Sequence, residues 1–184
     1  MEDPFPTPNP DGRFLPEVEQ VLRKAGWFPG RVVARSQFAK WACIESSTRW
    51  RDKYPSKNHT MQARLFPAAW RALREFGGLT INQQKTFYID PLEAKYFVGS
   101  DDWFVAEWCA GGTLYPLGAD NDESMFAITG QGQVIDNFDQ LVGNTIEEAL
   151  TNLIMGYRFQ GLAFPQEKFL EASFAMWMMD KELG

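Results

Sequence analysis

Apolar side chains recur along this chain in two rhythms, a helical one as far as Gly78 and a shorter one beyond it. Val18, Val21, Leu22 and Ala25 stand at i, i+3, i+4 and i+7, with Pro16 where a first helical residue belongs and Gly26 where a left-handed cap is wanted, and so predict a short amphipathic helix. GWFPGRVV then turns through Pro29-Gly30 into a brief β-branched strand. Phe38, Trp41, Ala42 and Glu45 begin a longer predicted helix whose far end, RWRDKYPSKN, reads as a solvated basic face. A third helix runs from about Pro67 through Trp70, Leu73 and Phe76 to Gly77-Gly78, where the double glycine ends it.

From there the apolar runs shorten. LTI, TFYI, WFVAEW, SMFAI and QVI are separated by Gly, Pro, Asn and Asp, the pattern of a meander of antiparallel strands. Thr145-Ile146-Glu147-Glu148 fits a capping box ahead of Ala149, Leu150, Leu153 and Ile154, and Gly156 closes that helix. After Pro165, QEKFLEASFAMWMMDKEL predicts a last helix with Phe169, Ala172, Ala175, Met176 and Met179 along one stripe. Trp177, Met178 and Met179 on this tail offer a surface for self-association, with a homodimer through the C-terminal helix as the expected form. Four prolines in the first dozen residues make the start of the chain an extended lead-in. The expected organisation is a lead-in at 1–14, an α+β domain over 15–156, and a helical extension at 157–184 packed on it.

At 184 residues one core suffices without a disulfide or metal staple, since folding at this size removes roughly two thirds of the unfolded chain's surface from water. Aromatic residues reach 15%, more than a core alone calls for, and surplus Trp and Tyr suit an interaction surface. The net charge of −6 disfavours nucleic acid and anionic membrane and favours a basic partner. Two cysteines, Cys43 and Cys109, make no disulfide framework or zinc cluster, and no cationic, apolar leader precedes them, so a reducing cytoplasm is the expected compartment. No uninterrupted apolar run approaches membrane-spanning length.

The residues that could carry chemistry lack the spacing it needs. Asp120, Asp122 and Ser124 mimic the first, third and fifth positions of a calcium loop, but Met125 and Gln131 stand at the sixth and twelfth, where Gly and Glu are needed. Gly130-Gln131-Gly132 leads into the strand-like QVI rather than a helix, so it is a turn and not a phosphate cradle. His59 is the single histidine and sits in a polar connector; Cys109, in EWCAGG, reads as a small buried group; no G-x-S-x-G elbow is present. Asp101-Asp102 and Glu147-Glu148 are adjacent pairs whose side chains diverge. No catalytic residues, metal or cofactor are expected.

Five segments in order carry a family likeness: LPEVEQVLRKAGWFPGR, AAWRALREFGGLTI, IDPLEA, GGTLYPLGADNDESMFAITGQGQVI and GNTIEEALTNLIMG. Together they resemble the SUKH superfamily, and most of all its immunity-protein branch with G-W-x-P-G-R and Y-P-L-G motifs. The resemblance implies a twisted antiparallel sheet flanked by helices, and a non-enzymatic intracellular antidote that binds and occludes a polymorphic or contact-dependent bacterial toxin, often a nuclease. The same superfamily also implies an alternative, a regulatory scaffold or peptide-binding module without a toxin partner. This chain departs from the pattern where Ala119-Asp120 follow Gly118, and in its long tail past Gly156. A toxin that works on nucleic acid presents a positive cleft, so a negative, aromatic patch is the expected antidote surface. The candidates are Asp101, Asp102, Trp103, Glu107, Asp120, Asp122 and Glu123, all expected in loops or strand ends.

Overall fold

The computed structural model describes residues 12–46, 61–137, 140–156 and 161–183. The expectations for the proline-rich start, the basic stretch RWRDKYPSKN and His59 lie outside the described residues. Within them the fold is α+β. A six-stranded antiparallel meander, β3 (Thr80–Asn82), β4 (Thr86–Tyr88), β5 (Leu114–Asp120), β6 (Met125–Thr129), β7 (Val134–Asp136) and β8 (Leu141–Gly143), pairs each strand with its neighbours in sequence. A separate pair, β1 (Cys43–Ser46) and β2 (Met61–Arg64), precedes it. Helices α1 (Pro16–Lys24), α3 (Pro67–Phe76) and α5 (Ile146–Met155) cover the sheet, with α1 against α5 and β3, α3 against β5 and β6, and α5 against β8. The core between these layers is built largely from rings, among them Trp41, Phe76, Phe97, Trp103 and Tyr115, all buried.

Local chemistry explains the helix ends. Helix α1 opens with proline in its first turn and closes in a Schellman arrangement: Gly26 at φ +96° sends its N–H to Arg23, while Trp27 N–H reaches Leu22 O. In α5 the Thr145 hydroxyl accepts from Glu148 N–H at 3.2 Å as the capping box predicts. The reciprocal arm lands one residue earlier than in the usual box, because Glu148 Oε2 accepts from the backbone N–H of Asn144 at 3.0 Å.

Three sequence expectations are corrected. WFVAEW is not a strand but the heart of α4 (Asp101–Cys109). Ser100 caps this helix, its hydroxyl accepting from Trp103 N–H at 3.1 Å, and Asp101 and Asp102 in the first turn complement the helix dipole. The longer helix expected from Phe38 onward stops early: α2 (Arg35–Trp41) ends, and Ile44 is buried where β1 pairs with β2. The strand expected in GWFPGRVV is absent, because Val33 N–H is spent on Arg74 O as the chain crosses the end of α3.

Trp27 and Arg31 of G-W-x-P-G-R and Glu75 of α3 form a brace together with Arg13. Glu75, buried on α3, accepts from Arg13 Nη1 at 2.8 and 3.0 Å and from Trp27 Nε1 at 3.0 Å. Arg13 also pairs with Glu147 on α5. Burial works against the Arg13 charge, but the bonds to Glu147 and Glu75 outweigh it and hold the guanidinium above its ordinary value. Arg31, the last residue of G-W-x-P-G-R, donates to Glu75 O and, at 2.9 Å, to Gly77 O, satisfying carbonyls that the end of α3 leaves open. Trp27 stacks on Phe76 with Phe14 edge-on to both.

Beyond residue 156, α6 (Gln166–Leu183) lies along α4. Ala172 is buried in this contact and Lys168 Nζ donates to Cys109 O at 3.0 Å. Of the predicted stripe, Phe169, Ala175 and Met176 are half-buried, while the side chains of Trp177 and Met179 lie outside the described residues. Leu170, Phe174 and Met178, at i, i+4 and i+8, are exposed.

Candidate partner-binding site

The acidic stretch after Gly118 is a tight hairpin connection whose carboxylates have different jobs. Asp120 ends β5 and turns inward: its Oδ1 accepts from Asp122 N–H at 2.9 Å and Ser124 N–H at 2.8 Å, and its side chain is only 2% exposed. Asn121 clips the loop to β4, accepting from Thr86 N–H at 3.0 Å and donating its own N–H to Thr86 O at 3.0 Å. Glu123 takes a left-handed backbone at φ +68°, uncommon for a residue with a Cβ. With Asp120 holding the turn from inside, Asp122 and Glu123 stand exposed at the tip. Lys85, from the β3–β4 turn, reaches Asp122 at 3.0 Å and Asp120 at 3.4 Å. The bond to Asp122, against a smaller opposing effect of burial, raises the Lys85 pKa.

Beside this loop lies a groove of about 250 Å³. Phe87, Phe126 and Leu153 give it apolar walls, Gln84 and Asp120 stand among its polar lining, and Gly156 closes one end in a left-handed cap. The last turn of α5 carries no basic residue, so the partial negative charge of the helix terminus faces the same end of the molecule as Asp122 and Glu123.

The other expected site residues sit on α4, not in loops. Asp101 and Asp102 lie at the surface in its first turn, and partial desolvation of the Asp102 carboxyl, with the Asp101 charge second, raises it above the ordinary carboxylate range. Glu107 is half-buried and likewise raised by burial, with a hydrogen bond from Trp103 opposing the shift. Trp103 is 2% exposed and sits edge-on to Phe97 at 5.3 Å, so its ring belongs to the core and is not open to a partner. The ring that α4 exposes is Trp108, at 47%. Helical spacing, in place of the expected strand alternation, is what exchanges the two.

The structure therefore brings Asp120, Asp122 and Glu123 together with Lys85, and keeps Asp101, Asp102 and Glu107 on a separate element. Helix α4 feeds into the start of β5 while the acidic loop leaves its end, and the seven residues of that strand span about 20 Å. Among the described residues no group of three or more His, Cys, Asp or Glu side chains could hold a metal ion, and no helix is long and apolar enough to cross a membrane. Cys109 is buried at the C-terminal end of α4.

A six-stranded antiparallel meander covered by helices, with the G-W-x-P-G-R segment in its internal brace and Y-P-L-G buried in β5, defines an α+β protein of SUKH type. The family model of the SUKH-3 immunity protein matches residues 14–156, and the chain belongs to that family. Comparison with curated proteins and with solved structures gives no match. An immunity role follows from family membership, and α6 lies outside the matched residues.

Proposed function

We propose that the protein is the antidote of a bacterial polymorphic or contact-dependent toxin system, acting in the cytoplasm by covering the working surface of a basic toxin, a nuclease by preference. The observation that carries this reading is the acidic hairpin tip, where two exposed carboxylates stand on a loop whose backbone is held by an inward-turned third, on a domain of an immunity family. Rigid display matters because a preordered loop loses little conformational entropy on docking. The overall charge of −6 steers a cationic partner toward the molecule, and the neighbouring groove offers apolar walls for the stem of a lysine or arginine side chain. We read the protein as non-enzymatic and as needing no cofactor.

The direct test is Asp122→Lys combined with Glu123→Lys, measured against the cognate toxin. Both positions are exposed and the Lys85–Asp122 pair is a surface one, so the unfolding free energy should change by no more than about 1 kcal/mol. Affinity should fall by about tenfold or more, chiefly through slower association at low salt. Asp120 is left in place because its loss would collapse the loop and confuse folding with binding. Unchanged affinity and association rate would remove this loop from the interface.

A further inference from the structure

Among the described residues that line the groove beside the acidic loop, Lys85 is the one cation. It extends from the turn between β3 and β4, and its Nζ lies 3.0 Å from Asp122 and 3.4 Å from Asp120. The loop is shaped without it. Asp120 holds the turn through Oδ1, which accepts from the N–H groups of Asp122 and Ser124, whereas Lys85 meets the other oxygen, Oδ2. Asn121 and Thr86 clip the loop to β4 through bonds that leave the lysine ammonium out. The Lys85 side chain is 45% exposed and that of Asp122 54%, so solvent screens their pair and the pair adds little to stability. Its effect falls on the surface instead: it sets a positive charge where a cationic partner has to dock.

We propose that Lys85 is a resident counter-ion of this site, displaced from Asp122 by an arginine side chain of the partner, and that it holds down the binding of cationic surfaces that cannot make that exchange. The inference rests on the antidote reading and names the chemical group that the acidic face takes. The contact with Lys85 shows that Asp122 accepts a cation while the loop keeps its shape. A lysine from the partner exchanges one ammonium for another and gains little. A guanidinium is planar, forks onto both oxygens of one carboxylate and is more weakly hydrated, so it gains more from the same exchange. Its stem can follow the apolar walls at Phe87 and Leu153, with Gln84 and Ser124 as polar lining for its remaining N–H groups. Lys85, on a flexible four-carbon stem and already half exposed, can swing into water as it leaves.

This role has an unusual sign. A lysine that merely shaped the loop would weaken docking when removed, because the carboxylates would lose their placement. A resident competitor strengthens docking when removed, for arginine and lysine partners alike, since both must expel it. The preference for arginine comes from the fork and persists without Lys85.

The test uses the full chain and two fluorescent nonapeptides, serine alternating with arginine or with lysine, followed by anisotropy. The unaltered protein should bind the arginine peptide about fivefold more tightly than the lysine peptide. Lys85→Gln should tighten both by about fivefold. Lys40→Gln, an exposed position on α2 with the same change in net charge, should shift either by less than about twofold. Asp122→Lys with Glu123→Lys should weaken both peptides. If that variant binds as tightly as the unaltered chain, or if neither peptide binds saturably, the acidic face is not a docking surface and the resident-ion role falls with it. If it binds more weakly while Lys85→Gln also weakens binding, or matches Lys40→Gln, the docking surface stands and the role of Lys85 alone is overturned.

Discussion

Glu75→Ala should destabilise the fold by about 3–5 kcal/mol, the range for removing one partner from a buried ion pair. The carboxylate is 7% exposed and is the common acceptor for Arg13 and for Trp27 Nε1. Its loss strands an indole N–H in the core and leaves Arg13, itself largely buried, with Glu147 as its remaining partner. The retained Glu147 contact places the expectation toward the lower end of the range. Glu75→Gln is the informative companion: an amide oxygen still serves Trp27 but brings no negative charge to Arg13, so its cost should fall between the unaltered protein and the alanine variant. Urea unfolding provides the measure. A loss under about 1 kcal/mol for Glu75→Ala would mean that the brace is an ordinary surface contact.

Gly118→Ala should be nearly as damaging, for a steric reason. A Cβ at Gly118 would lie 2.0 Å from Tyr88 O and 3.2 Å from Ile89 Cα, both backbone atoms that no rotamer change can move. Strands β4 and β5 would have to part beside the pairs Tyr88↔Ala119 and Phe87↔Asp120, taking with them the Thr86 and Lys85 contacts that shape the acidic loop. The cost should be about 3 kcal/mol, at the upper end of the usual range for forcing extra volume into a packed site. Gly132→Ala is the control. Its φ of +93° disfavours a side chain, but nothing lies within 4 Å of the added Cβ, so roughly 1 kcal/mol is expected. Equal, small losses at both glycines would contradict the close strand approach at Gly118.

These two sites also mark how far the sequence could be read. Helix α1, with its proline start and Gly26 cap, and the four runs LTI, TFYI, SMFAI and QVI were legible because local chemistry and burial agree there. Helix α4 was not. Trp103, Ala106 and Cys109 face the core while α6 lies along another side, so apolar residues occur on both faces and the helical period vanishes. Tertiary pairing likewise overrides the local helical pattern at Ile44. The acidic loop is visible as a run of carboxylates, and Asp120 turns inward on local bonds to Asp122 and Ser124 N–H, but the contacts that clip the loop to β4 come from Lys85 and Thr86, 35 residues away. Glu75 offered a signal that went unused, an acidic residue between the buried Leu73 and Phe76; its partner Arg13 is 62 residues away and has no local mark.

Titration of the purified chain into its cognate toxin tests the central claim, that protection comes from covering the toxin and not from altering it. Toxin activity should fall in proportion to added protein and vanish at an equimolar ratio, and toxin separated from the complex should regain full activity with unchanged mass. Progressive inactivation by a trace of the protein, or recovery of a chemically modified toxin, would contradict it.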